Sequence, residues 1–286
     1  MARLYALTSL LFVVAVVFII NIWLVHHNLN CTCDCSAVDI SPLDRQSRAA
    51  EDNAKRPLTK ERLSTGEREG HHLAVVVPFR NRFEELLQFA PFLHSFLNRQ
   101  HVRHQIWVVN QADNHRFNRA ALINVGFLLS RNESDYMDGP LHITAPSLHP
   151  LYHYDAYVGG ILIMTRQQFE KVDGLSNQFW GWGREDDELH MRLKEAGLKI
   201  QYPRNITTGT NTFKHIHDKF ARPRDQKKYF NQWEVSKQRD RVTGLSTIQY
   251  KINSVVQLTI DGTPVNFVSV ELQCDYERTP FCDNPV

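Results

Sequence analysis

The sequence predicts an α/β domain with parallel strands, carried behind a single N-terminal membrane-spanning helix. Three observations carry this reading. An uncharged apolar run at residues 4–25 (LYALTSLLFVVAVVFIINIWLV) stands at one end of an otherwise polar 286-residue chain. Two β-branched runs, LAVVV at 73–77 and IWVVN at 106–110, alternate with two apolar-periodic stretches, the pattern of strand, helix, strand, helix. The composition is 42% hydrophobic and 22% charged, which suits a packed domain and excludes a disordered or fibrous chain.

The elements are taken in chain order. Residues 4–25 would rise about 33 Å as a helix, enough for a hydrocarbon core of about 30 Å and longer than the apolar part of a cleavable signal. Arg3 precedes the run, while Asp34, Asp39 and Asp44 dominate the residues after it, so residues 1–3 are expected on the cytoplasmic side and the remainder in a lumen or outside the cell. Residues 26–70 are polar, mixed in charge and without apolar period, which reads as a flexible stem. Residues 71–286 remain for one domain.

The five cysteines are too few for a disulfide-built miniprotein, and a formal net charge of +2 does not fit a dedicated nucleic-acid binder. In an oxidising compartment Cys274 and Cys282 would form a local disulfide. Cys31, Cys33 and Cys35 come just after the span and read as unpaired or intermolecular thiols. Asn30, Asn132 and Asn205 head N-x-S/T sequons, usable as glycosylation sites where the domain is lumenal.

Within the domain, strands at 73–77 and 106–110 flank a helix at 83–97, and a second helix is expected over 116–129. In a parallel sheet ligands bind beyond the carboxyl ends of the strands. The loops Pro78-Phe79-Arg80-Asn81-Arg82 and Asn110-Gln111-Ala112-Asp113 are therefore candidate site loops.

Three further constellations could carry chemistry. In FWGWGREDDE (179–188) Trp182 stands between Gly181 and Gly183, a large aromatic plate on a permissive backbone, and reads as a mobile lid. Glu185, Asp186, Asp187 and Glu188 come next, at a helix start, where the dipole favours negative charge; crowded carboxylates raise one another's pKa, which suits a general base. His215 and His217 (KHIHD) share a face of an extended segment and could ligate one ion, with Arg222, Arg224, Lys227 and Lys228 after them as a cationic zone for phosphate, or as the solvated face of a helix. Tyr152 and Tyr154 precede the Gly159-Gly160 pair, an arrangement that either stacks a sugar ring or forms core aromatics before a tight turn.

With these motifs in order, the chain resembles the β-1,4-galactosyltransferase family, and most closely its xylosylprotein 4-β-galactosyltransferase branch, which starts the glycosaminoglycan linker. VVPFRNRFEE, FNRAALINVGF, LHPLYHYDAYVGG, FWGWGREDDE, KHIHD and the terminal cysteine pair occur in family order between residues 73 and 282. The resemblance implies a nucleotide-diphospho-sugar transferase fold of GT-A-like type, a Rossmann-like mixed sheet, in a type II Golgi membrane protein. It implies Asp186 as catalytic base, with Tyr154, Arg184, Glu185 and Asp187 at the acceptor. It places Pro78, Phe79, Arg80, Asn81, Arg82, Phe117, Asn118, Arg119, Tyr152, Trp182 and Arg224 at UDP-galactose, and His215 and His217 on Mn2+. The acceptor implied is β-xylose on a proteoglycan core protein.

One departure stands out. The family carries an Asp-x-Asp motif at the end of a strand between the second helix and a Gly-Pro matching Gly139-Pro140; here that interval reads NESDYMD (132–138) and holds no such motif. Roughly 25 residues of the family's spacing are absent, too many for a shortened hairpin to explain. The loss removes oxygen ligands that a divalent ion beside diphosphate prefers, and opens a sheet edge. An alternative reading is therefore a catalytically silent lumenal protein that keeps the acceptor pocket.

Overall fold

The structure is a computed structural model, and it describes residues 72–130, 139–227 and 231–283. The expected membrane span, the stem, the three clustered cysteines and the sequons at Asn30 and Asn132 lie outside those residues. Among the described residues no helix is long and apolar enough to cross a membrane.

The two β-branched runs form β1 (His72–Phe79) and β2 (Arg103–Gln111), paired in parallel from His72↔Arg103 to Phe79↔Asn110. Between them runs α1 (Phe83–Arg99), as the apolar period predicts. After β2, α2 (Arg119–Leu129) starts three residues later than expected, because Asn118 caps it: its side chain accepts from the Ala121 amide at 2.9 Å. The sheet is completed from the far end of the chain. A hairpin of β5 (Tyr250–Ile260) and β6 (Thr263–Leu272) inserts β6 parallel to β2, giving the order β1-β2-β6-β5. The sheet is thus mixed, as the family resemblance implies.

Strand alternation sorts β2 between two layers. Ile106 and Val108 face α1 with Leu86, Ala90 and Val265; Val109 faces α2 with Ala121, Leu122, Val125, Val268 and Val270. Helix α2 approaches β1 so closely that a Cβ at Gly126 would collide with Val76 Cγ1, so only glycine fits there. The outer face of α2 is covered by a third cluster, in which Phe169, Val172, Leu189 and Leu193 come from α3 (Arg166–Lys171) and α4 (Glu185–Glu195) and the turn between them. A small antiparallel pair, β3 (Leu141–His142) with β4 (Leu162–Ile163), opens the second half.

β1 stands at the end of the sheet, and among the described residues it pairs with β2 alone. Its composition is that of a strand with neighbours on both sides, yet its residues up to Pro78 are half-exposed. Among the described residues β1 is thus an open edge, as expected from the missing motif. Among the described residues of the basic run after Arg224, the helix is α5 (Gln232–Val235). The Cys274–Cys282 disulfide is present, and both sulfurs are buried against α2 and β6.

Candidate active site

The carboxyl ends of β1 and β2 are stitched to each other. Arg80 donates to the carbonyls of His115 at 2.7 Å, Asp113 at 3.1 Å and Gln111 at 3.4 Å, and lies over the Phe117 ring. Its guanidinium therefore holds the loop after β2. Phe79 is committed to the core by edge contacts with Phe83 and Phe267, so only its backbone faces outward. Asn81 takes a left-handed φ of 51° at the turn, and Arg82 reaches Glu85 at 3.6 Å.

The Phe117-Asn118-Arg119 motif divides three ways. Phe117 packs on the core, Asn118 caps α2 and donates to the Asn177 carbonyl at 2.8 Å, and Arg119 crosses to the acids of α4. Its Nε donates to Glu185 Oε1 at 2.7 Å and its Nη2 lies 4.0 Å from Asp186 Oδ2. Arg119 thus ties the start of α2 to the carboxylate cluster, a link no spacing argument contains.

Helix α4 begins at Glu185, so all four acids fill its first turn. Arg184, at the N-cap with φ 76°, turns back to donate to Asp187 Oδ2 at 2.5 Å, and Tyr154 donates to Asp187 Oδ1 at 2.9 Å. Glu185 keeps one oxygen, Oε2, buried without a hydrogen-bond partner. Such an atom is costly unless something polar arrives to meet it. The Asp186 carboxylate sits where Gly159 has no side chain: a Cβ there would collide with Oδ2. The diglycine, read either as admitting a sugar ring or as a tight turn, gives its space at Gly159 to this carboxylate.

Burial pushes the Asp186 carboxyl up to about 6, with Glu185 adding to the rise and Arg119 opposing it. Burial also pushes the Tyr157 phenol up to about 12 and raises that of Tyr154, both with help from Asp186. These tyrosines belong to one aromatic wall: His149 stacks on Tyr152 at 4.7 Å, and Tyr157 lies 5.1 Å from Tyr152 and 5.7 Å from Tyr154.

Above this wall lies the Gly181–Gly183 loop. Trp182 is 40% exposed, with the Arg224 guanidinium 4.8 Å from its ring centre, and Arg224 also donates to the Tyr152 hydroxyl at 3.3 Å. Tyr152, Trp182 and Arg224, distant in sequence, therefore form one corner. Arg222 turns away, to Glu84 at 2.6 Å and Glu85 at 3.0 Å on α1.

His215 and His217 lie on an irregular segment, not a strand, with ring centres 6.1 Å apart. His217 Nε2 is shielded from solvent and has no hydrogen-bond partner, the state of a nitrogen that can take a metal. Burial, then Arg224 and His215, hold the His217 imidazole below its usual pKa and so neutral, as a ligand must be. His149 lies 6.0 Å from His215 but accepts the amides of Leu151 and Tyr152 at Nδ1, which leaves the proton on Nε2 and excludes it as a ligand there. The histidine pair thus fits a metal. Among the described residues no third side chain joins it: the one possible triad, His115, Cys282 and Asp283, is elsewhere, and its cysteine is in the disulfide.

Sequence reasoning misses Arg116, buried behind the tryptophan loop, and the Arg192 that pairs with Glu188. The second has a signal, an acid and a base four apart on one helix. Asn205 is exposed in a left-handed turn, accessible as a sequon requires.

Two family models match adjoining stretches of the chain: one described as the N-terminal region of glycosyl transferase group 7 over residues 65–142, the other as the N-terminal domain of galactosyltransferase over 139–217. The chain is 49% identical to β-1,4-galactosyltransferase 7 of Drosophila melanogaster over 235 residues, 74% of this chain and 73% of that one. It is 48% identical to the Homo sapiens protein of that name, covering 74% and 71%. To the xylosylprotein 4-β-galactosyltransferase of Caenorhabditis elegans it is 42% identical, covering 74% and 82%. Among solved structures it matches the catalytic domain of the Drosophila enzyme in complex with xylobiose, with TM-score 0.72 and 48% identity over 75% of this chain and 99% of that one. A mutant of that enzyme in complex with manganese, UDP-Gal and xylobiose matches with TM-score 0.70 and 48% identity, covering 74% and 99%. The Drosophila match runs over 235 residues yet takes in 74% of this 286-residue chain, about 212 residues, a shortfall of roughly 23 that agrees with the missing interval.

Proposed function

We infer the activity from the family to which this chain belongs, the β-1,4-galactosyltransferases: it is a manganese-dependent xylosylprotein 4-β-galactosyltransferase. It moves galactose from UDP-galactose to the 4-hydroxyl of β-xylose and inverts the anomeric centre. The observation that carries the reading is Asp186, a carboxylate raised to about 6, seated against Gly159 beside the unpartnered Glu185 Oε2.

Asp186 takes the proton from the acceptor hydroxyl as its oxygen attacks the sugar carbon on the face opposite the departing nucleotide. Near neutral pH it is ionised, yet still basic enough to accept a proton in the transition state. Glu185 Oε2, with Asp187 held by Tyr154 and Arg184, is placed to receive hydroxyls of xylose. Trp182, with its glycine neighbours, covers the reacting centre and keeps water from hydrolysing the donor. Arg224 faces the diphosphate beside it. His215 and His217 would hold manganese, which when bound neutralises charge on the leaving diphosphate. These two imidazole nitrogens are what the described residues of that segment would supply to the ion.

The apolar run and the polar stem support a setting for this chemistry: residues 4–25 anchor a type II protein in the Golgi membrane, residues 71–286 are lumenal, and the acceptor is a xylosylated proteoglycan core protein. Exposed Asn205 is a glycan site in that compartment.

The test is manganese-dependent transfer from UDP-galactose to a β-xyloside by the full chain in detergent, with Asp186→Asn as control. Transfer lost in the control supports the reading. Acceptor binding without manganese-dependent UDP affinity would favour the silent, acceptor-binding form, which the two-histidine donor set also fits.

A further inference from the structure

Arg116 lies under the tryptophan loop with its side chain 2% exposed. Its Nε donates to Asp225 Oδ2 at 2.5 Å and its Nη2 to the Lys227 carbonyl at 2.9 Å. The same guanidinium fills the space above Gly181, where a Cβ would collide with Nη2 and lie 3.0 Å from Asp225 Oδ2. Backbone bonds hold the loop on both sides as well: the Trp182 amide donates to the Asp225 carbonyl of the strap at 2.9 Å, and the Gly181 amide to the carbonyl of Phe117, next to Arg116, at 2.9 Å. One buried cation therefore touches the aromatic loop and the strap that runs on from Arg224.

That strap is the segment that carries His215, His217 and Arg224. Its ion pair to α1, Arg222 to Glu84 and Glu85, is solvent-exposed, and such pairs hold little. Of the two ion pairs the buried one fixes its position, together with the Trp182–Asp225 backbone bond and the Arg224 contacts, because a charge taken out of water keeps its partner at a defined distance or is strongly penalised. The acceptor carboxylates are held separately, by Arg119, Arg184 and Tyr154 on α4 and its neighbours.

We propose that Arg116, acting through Asp225, is a positioning residue that registers the His215/His217/Arg224 strap on the Trp182 loop and so governs affinity for the nucleotide-sugar donor independently of the acceptor. The inference rests on the galactosyltransferase reading and adds to it a determinant outside the reacting groups. The guanidinium is planar and donates in two directions, so lysine can replace its charge but not its second hydrogen bond.

The experiment compares the full chain with Arg116→Gln, Asp225→Asn, the double variant and Arg116→Lys. It reads KM for UDP-galactose, KM for a β-xyloside, and the fluorescence change on adding manganese and UDP, with Trp182→Phe identifying that tryptophan's share. The expected result is a rise of about tenfold or more in donor KM for each single variant and a matching loss of the nucleotide-induced signal. Acceptor KM stays within about twofold, the double variant is no worse than the poorer single, and lysine recovers part of the loss. Parallel changes in both KM values, an unchanged donor KM, additive singles, or variants that fail to fold would assign Arg116 to stability alone and overturn the proposal. A wild-type chain with neither transfer nor UDP binding would instead remove the galactosyltransferase reading, and this inference with it.

Discussion

The first turn of α4 uses carboxylates for opposite ends. At its start, Glu185 keeps a bare buried oxygen, Asp186 is raised to about 6, and Asp187 is shared between Tyr154 and Arg184. One position further, Glu188 is fully buried and fully engaged: both its oxygens accept from Arg192 Nε at 2.9 Å, and Oε1 also accepts the Asp240 amide at 2.7 Å. Arg192 in turn donates to the carbonyls of Val172, Asp173, Asp240 and Thr243. A helix turns about 100° per residue, so a run of four acids meets several environments. Glu188 secures the helix through Arg192, while Glu185 and Asp186 are left with unmet or raised carboxyls.

The strongest test of this division is Asp186→Asn, expected to lower kcat by about 10²–10⁴-fold, the usual worth of a general base, with the acceptor still bound. The same change should stabilise the fold. A carboxyl whose pKa rises on folding binds its proton more tightly in the folded state, so wild-type stability falls as pH climbs from about 4 to about 6 and stays lower above that. Melted at about pH 7.5, Asp186→Asn should therefore exceed the wild type by about 1–3 kcal/mol, with the difference gone below about pH 4. Equal melting at both pH values would show that folding does not raise the Asp186 carboxyl.

Glu188→Ala is the converse. It strands the buried Arg192 charge and should cost about 3–5 kcal/mol in denaturant unfolding, with activity lost in proportion to folded protein and no change in pH profile. A smaller effect is the pH dependence itself: kcat/KM for transfer should rise with pH through an apparent pKa near 6, set by Asp186. Tyr154→Phe should have the least effect, a several-fold rise in acceptor KM from the loss of one hydrogen bond to Asp187, about 1 kcal/mol.

Much of the site is legible without the fold. The acids at a helix start and the candidate loops after the first two strands fall where the sequence places them, while the histidine pair lies on an irregular segment. Arg119, a nucleotide contact by family resemblance, is bound to the acids of α4. The diglycine suggests a sugar platform or a tight turn, and Gly159 gives its space to Asp186. In both cases the partner lies far along the chain, and a spacing rule does not reach it.

By itself the sequence determined the α/β alternation, the charge at the start of α4, the local disulfide and the absence of Asp-x-Asp, since each depends on neighbours within a few residues or on simple composition. Tertiary structure alone decided that β6, from the far end of the chain, fills the place beside β2. It also set a buried Arg116 between two loops. Those outcomes depend on which distant surfaces exclude water together, a property of the assembled chain that no local period encodes.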